Sequence, residues 1–256
     1  MPKKNYISRA EYELWSYIKD NEIVDTELVE MVFPEMPKAK KNKLLHNLYV
    51  KGYLARVRNG LYYNPARLTD FYKLALRIKE GYIGLSSALR HYNLIDYEDF
   101  TVFIMTRNFQ KKIPLKGTKY EAWFVPLGKY FAGFEKVDNS YISSLEKTFF
   151  DCFLKPSLVG FSNITKALYD SKPDWNKFIG YFKLTDNHSV CQRTGYILEL
   201  LTKTTRFRVP SFVLEFLLKK VKNPVKLLSI GGKSTFNRKW KVQDNVGKVE
   251  LLSWWN

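Results

Sequence analysis

Apolar residues recur at helical spacing three times in the first fifty positions. Ser8 and Glu11 stand at capping-box spacing ahead of Leu14, Trp15 and Ile18, which predicts a helix from about Ser8 to Asp20. Asp25 is a good N-cap before Leu28, Val29 and Val32, and Pro34 with Pro37 ends that second helix after two turns. A third helix is predicted from about Lys38 to Lys51, stopped by Gly52. Its Leu44, Leu45 and Leu48 share one side, and Lys40, Asn42, Lys43, His46 and Asn47 fall on the other. The period then changes to two. Tyr53–Arg58 and Leu61–Asn64 flank Asn59-Gly60, the dipeptide best suited to a type I′ hairpin turn, and Arg56 and Arg58, two apart, are expected to share one face of the ribbon.

Beyond the hairpin the pattern is mixed. Phe71, Leu74, Ala75 and Ile78 predict a helix within Thr69–Lys79, and Ser86–Tyr92 a short one. Phe100–Met105 and Lys119–Val125 read as strands of a small buried sheet. Leu145, Phe149, Cys152 and Phe153 form the inner stripe of a helix ended by Pro156, and further helices are predicted over 162–171, 174–183, 189–203 and 211–221. Strand-like segments follow at 226–230, 235–243 and 247–252. The predicted fold class is therefore α+β. A winged helix-turn-helix over residues 1–67 precedes a larger, helix-dominated mixed domain over 68–256.

Charge sharpens this picture. The 256 residues carry 42 Lys and Arg against 25 Asp and Glu, a formal net charge of +17 that favours a polyanionic partner. Residues 1–35 hold four basic and eight acidic side chains. Residues 36–69 hold eight basic ones (Lys38, Lys40, Lys41, Lys43, Lys51, Arg56, Arg58 and Arg67) and no acid. A solvated helix surface accounts for such a face in isolation, but a basic hairpin directly after it is the combination of a DNA-reading helix and wing. The candidate duplex-DNA contacts are Lys38, Lys40, Lys41, Asn42, Lys43, His46, Asn47, Arg56, Arg58 and Asn59. Lys and Arg meet phosphates there, while Asn and His supply groups able to match base edges.

A second, more diffuse basic region runs from Leu201 onward. Lys203, Arg206 and Arg208 cluster in it, and Lys233, Arg238, Lys239 and Lys241 interleave with Phe236, Trp240 and Val242. This is either a single-strand stacking surface or an amphipathic hairpin with a wet basic face.

Catalytic and metal chemistry find no footing in the sequence. Cys152 and Cys191 are isolated, which predicts buried free thiols in a reducing, cytoplasmic setting with no zinc site or disulfide. Gly231-Gly232-Lys233-Ser234-Thr235 ends like a phosphate-binding loop, but Leu227 stands where that loop needs its first glycine. Gly84 and Ser86 precede Asp96 and Asp99, yet the following strand carries no carboxylate to hold magnesium. His46, His91 and His188 are far apart. Glu146 and Asp151 read as structural acids with local Lys or Arg partners. No apolar run has the length of a leader or a membrane span. The expectation is a protein with no enzymatic activity, no cofactor and no membrane.

Leu45, Leu48, Gly52, Leu54, Arg56, Val57, Gly60 and Tyr62 match the motif of the N-terminal domain of the AbiEi family, the antitoxins of abortive-infection, type IV toxin-antitoxin pairs. Tyr82–Leu89 resembles that family's Tyr-x-Ser-x-x-Ser-Ala-Leu segment with Gly84 in place of Ser, and Ser144–Asp151 resembles its Glu-Arg-x-x-x-Asp segment with Lys147 in place of Arg. Asn93-Leu94 stands where the family often has Gly-Leu. The likeness covers about residues 8–155. It implies a transcriptional regulator that binds promoter repeats through the winged helix and neutralises a nucleotidyltransferase-like toxin through its C-terminal domain. Two alternatives stay open: a nuclease or other nucleic-acid-directed effector that docks through the winged helix, and a protein-interaction module.

Overall fold

The computed structural model describes residues 6–96, 99–138, 140–229 and 234–255. The chain divides into two compact units: 1–83, 100–132 and 137–140 form the first, and 84–99, 133–136 and 141–256 the second. Both are mixed α and β. Among the described residues no helix is long and apolar enough to cross a membrane.

The first unit begins with α1 (Arg9–Ile18), whose Ser8 and Glu11 form the expected capping box. A short strand β1 (Ile23–Asp25) leads into α2 (Thr26–Val32), where the Asp25 carboxylate accepts from the Leu28 amide at 2.9 Å. After the proline-bounded connection come α3 (Lys38–Val50), β2 (Ala55–Arg58) and β3 (Leu61–Tyr63). Gly52 takes the left-handed conformation at the end of α3. The three strands pair in the order β1-β3-β2, both pairs antiparallel. Leu14, Ile18, Val24, Val29, Leu44, Leu45, Leu48, Leu54 and Tyr62 close one core between the helices and this sheet. The buried Asn64 amide donates to the Lys19 carbonyl at 2.7 Å and so ties the end of β3 to the end of α1.

The same unit continues through α4 (Phe71–Ile78), β4 (Tyr82–Ile83), β5 (Thr101–Thr106), β6 (Lys111–Pro114) and β7 (Glu121–Pro126), with strand order β6-β7-β5-β4. β5 and β7 run parallel, in keeping with their nearly continuous apolar sequences. Compactness does not follow a division at residues 67 and 68. Ala55 and Tyr63 of the hairpin pack with Leu68, Leu74 and Leu115, and Tyr63 Oη donates to the Lys116 carbonyl at 2.6 Å. The inner face of the hairpin is thus covered by residues far along the chain.

The second unit is dominated by helices: α5 (Leu85–His91), α6 (Leu145–Leu154), α7 (Pro156–Val159), α8 (Phe161–Asp170), α9 (Trp175–Lys183), α10 (His188–Thr204) and α11 (Ser211–Leu218). Between α5 and α6 in sequence lie β8 (Phe134–Val137) and β9 (Ser140–Ser143). Three short strands, β10 (Val225–Lys226), β11 (Thr235–Asn237) and β12 (Val242–Asp244), form a sheet of order β10-β12-β11. The segment over 247–252, expected as a strand, is instead a turn of helix, α12 (Lys248–Leu251), opened by Gly247 at φ +92°. Pro156 does not simply end α6; it opens α7 at the position where its missing N–H costs nothing.

Candidate nucleic-acid interface

Eight cations in residues 36–69 repel one another unless they find acids, and three of them do. Lys41 is buried and pairs with Glu30 at 2.7 Å, Lys51 pairs with Glu11 at 2.6 Å, and Arg67 pairs with Asp20 at 2.9 Å. Acids of the first 35 residues therefore neutralise the inward-turned Lys41 and Lys51 and the exposed Arg67. Among the described residues, Lys38, Lys40, Lys43, Arg56 and Arg58 form no ion pair, and all five are exposed.

Four lie on or against the outer side of α3. At 100° per residue, Leu44, Leu48, Lys41 and Leu45 define the buried arc of this helix, and Lys38, Asn42, His46, Lys43 and Lys40 spread across the opposite one. Those five are exposed, so α3 keeps an open face of donors. Among the described residues no side chain caps its first turn, which carries Lys38, Lys40 and Lys41 and no acid of its own. Cations there oppose the helix dipole, and an anion reverses the sign of that interaction. The Arg56 guanidinium lies 5.0 Å from the centre of the Tyr49 ring, which in turn neighbours His46. His46, Tyr49 and Arg56 thus carry the strip from α3 onto β2. Tyr49 is absent from the sequence-derived set; a half-buried tyrosine on the polar side of the wheel, ahead of a basic strand, was its only signal.

Four expectations require correction. Lys41 is not a surface contact: it sits midway along the buried arc, with Nζ also 3.4 Å from the Pro34 carbonyl. Asn47 is half-buried, and its Nδ2 donates to Glu11 Oε1 at 2.8 Å, so its amide is occupied in holding α3 to α1. The Asn59-Gly60 turn is not type I′, because Gly60 has φ +75° while Asn59 has no positive φ. The ladder shifts register between Arg56 and Arg58: Arg56 faces Tyr62, and Arg58 faces the adjacent Leu61. Successive residues of β3 point to opposite faces, so the two arginines do not share one. Arg56 leans toward α3, whereas Arg58 Nη2 approaches the Arg77 carbonyl of α4 at 3.5 Å. Asn59 is exposed at the hairpin tip.

Glu11 is the acid that sets this geometry. Its Oε2 accepts from the Ser8 amide at 2.7 Å and from Lys51 Nζ, while Oε1 takes the Asn47 amide. Burial pushes its carboxyl up, but the bonds from Lys51, Ser8 and Asn47 outweigh that and hold it at about 2.

Elsewhere, Trp240 is fully buried against Gly195, with Nε1 donating to Glu199 at 2.7 Å. Thr235–Asn237 and Val242–Asp244 pair as an antiparallel hairpin on which Phe236 is exposed, and Lys203 and Lys239 both bond Glu199. Both thiols are buried, which pushes Cys152 well up and Cys191 to about 11, keeping them protonated. Glu146 accepts from the Asp174 amide at 2.9 Å, and Asp151 forms a buried ion pair with Lys147. Ser86 donates to Asp99. Lys3 and Lys4, and Gly231, Gly232 and Lys233 of the loop-like motif, lie outside the described residues.

No family model matches the chain, and no curated protein does.

Proposed function

We propose that the α1-β1-α2-α3-β2-β3 arrangement is a winged helix-turn-helix and that the protein is a DNA-binding transcriptional regulator. In this reading α3 enters the major groove, whose width admits one helix. Asn42 and His46 meet base edges, Lys38, Lys40 and Lys43 meet phosphates, and Arg56 follows the backbone beside the groove. The observation that carries the reading is the sorting of charge: Lys41 and Lys51, turned inward, and Arg67 are matched by acids, and four of the five unmatched cations border a single open helix face. Such sorting supports a polyanionic partner over a merely soluble surface. The finer role, an antitoxin that binds promoter repeats and neutralises a nucleotidyltransferase-like toxin, rests on the resemblance to the AbiEi family.

Selection of binding sites from a pool of random duplexes tests the proposal. The wild type is expected to enrich a defined site, and Asn42→Ala with His46→Ala to enrich a different or degenerate one. Recovery of the same site by the double variant overturns the base-reading role of α3, and failure to retain any duplex overturns the DNA-binding reading itself.

A further inference from the structure

The second unit holds a cleft of about 420 Å³ whose chemistry is unlike that of α3. Tyr169 and Trp175 form its aromatic wall, and Lys172, Arg206 and Arg208 bring three cations to it. Among the described residues no carboxylate lines it. The neighbouring acids are committed elsewhere: Asp174 caps α9 by accepting from the Asn176 and Lys177 amides at 2.9 and 3.1 Å, and Asp170 pairs with Lys166 at 2.7 Å. Among the described residues none of the three cations forms an ion pair, so their mutual repulsion is unrelieved in the free protein.

The walls are built in advance. Thr205 Oγ1 donates to the Leu201 carbonyl at 2.8 Å and accepts from the Phe207 amide at 3.1 Å. This turn buries Phe207 and sends Arg206 and Arg208 outward on either side of it. Arg208 Nη1 is pinned to the carbonyls of Thr205 and Phe207 at 3.2 and 3.1 Å, which fixes the fork while leaving its other N–H groups available. Trp175 is braced by Phe178 and Phe207 at 5.3 and 5.9 Å, and Tyr169 by Trp254 and Trp255, each at 5.0 Å. Aromatic faces held rigid beside guanidinium forks suit a ligand with a planar ring at one end and a phosphate at the other.

We infer that this cleft binds a nucleoside phosphate, with the base against Trp175 and Tyr169 and the phosphate among Arg206, Arg208 and Lys172. The inference is independent of DNA binding by α3. Isothermal titration of the full chain with adenosine 5′-monophosphate, uridine 5′-monophosphate, adenosine and inorganic phosphate tests it. At least one of the two monophosphates is expected to bind more tightly than either adenosine or phosphate alone. Arg206→Glu with Arg208→Glu, both at exposed positions, is expected to lower that affinity by about tenfold for each guanidinium removed. Lys43→Ala is expected to leave it unchanged, which separates this site from the DNA reading. Equal affinity for phosphate and both monophosphates, wild-type binding by the double variant, or no binding of either monophosphate overturns the inference. So does an oligonucleotide that binds far more tightly than both monophosphates, since that marks a strand-binding groove.

Discussion

Exchanging Glu11 for Gln changes almost no volume and removes one charge from the junction of α1 and α3. The carboxylate receives donors from Ser8, Asn47 and Lys51 and is itself only 3% exposed. A glutamine amide presents two hydrogens to a site that supplies only donors, so it loses at least one bond and leaves Lys51 without its counter-charge. Holding the carboxyl at about 2 rather than 4.5 corresponds to about 3 kcal/mol in favour of the ionised form. The group lies near the edge of its unit, where water screens part of this, so about 2 kcal/mol is the working figure. Because the folded-state pKa lies below the unfolded one, the contribution is fully present above about pH 4.5 and is lost as pH falls from there toward about 2. Hydrogen exchange at α1 and α3 amides reads this locally, without treating two units as one transition. In the Glu11→Gln protein, exchange at neutral pH is expected to be about thirtyfold faster in both helices, with a flatter response to acid. Protection within about twofold of wild type would refute the assignment of Glu11 as the pin between these helices.

Three further outcomes follow from the contacts. Arg56→Ala is expected to weaken duplex binding more than Arg58→Ala, because Arg56 borders α3 through Tyr49 while Arg58 turns toward α4; equal losses in a fluorescence anisotropy titration contradict the bulged hairpin. Asn47→Ala is expected to lower affinity for all duplexes alike, since its amide holds Glu11; a changed site preference contradicts this. Gly195→Ala places a methyl group 2.0 Å from the Trp240 ring and is expected to destabilise the second unit by about 3 kcal/mol or more, read as a lowered calorimetric transition.

Where local chemistry decides an element, the sequence reads cleanly. Ser8 with Glu11, Asp25 and Gly52 mark the helix boundaries of the first unit because capping and left-handed ends depend on one or two residues. The spacing of Leu44, Leu45 and Leu48 likewise exposes the outer side of α3. Lys41 was legible too, since it falls between Leu48 and Leu45 on the wheel, but a run of lysines hides its different position. Asn47 was not, because its partner lies 36 residues earlier and only the packing of α1 on α3 brings the two together. The turn at Asn59-Gly60 depends on the register shift between Arg56 and Arg58, which dipeptide preference does not contain. Short strands such as β1 and β4 owe their existence to distant neighbours in the sheet, not to their own two or three residues. The same holds for the extent of the first unit, whose hairpin is covered by Leu115.

The salt dependence of duplex affinity tests the central claim, that unpaired cations around α3 meet phosphates. Lys38, Lys40, Lys43 and Arg56 imply a slope of log affinity against log salt of roughly −3 to −4 if each neutralises one phosphate. Alanine at Lys38, Lys40 and Lys43 together is expected to make that slope shallower by roughly 3. A triple variant with the wild-type slope, or wild-type binding that ignores salt, contradicts the account.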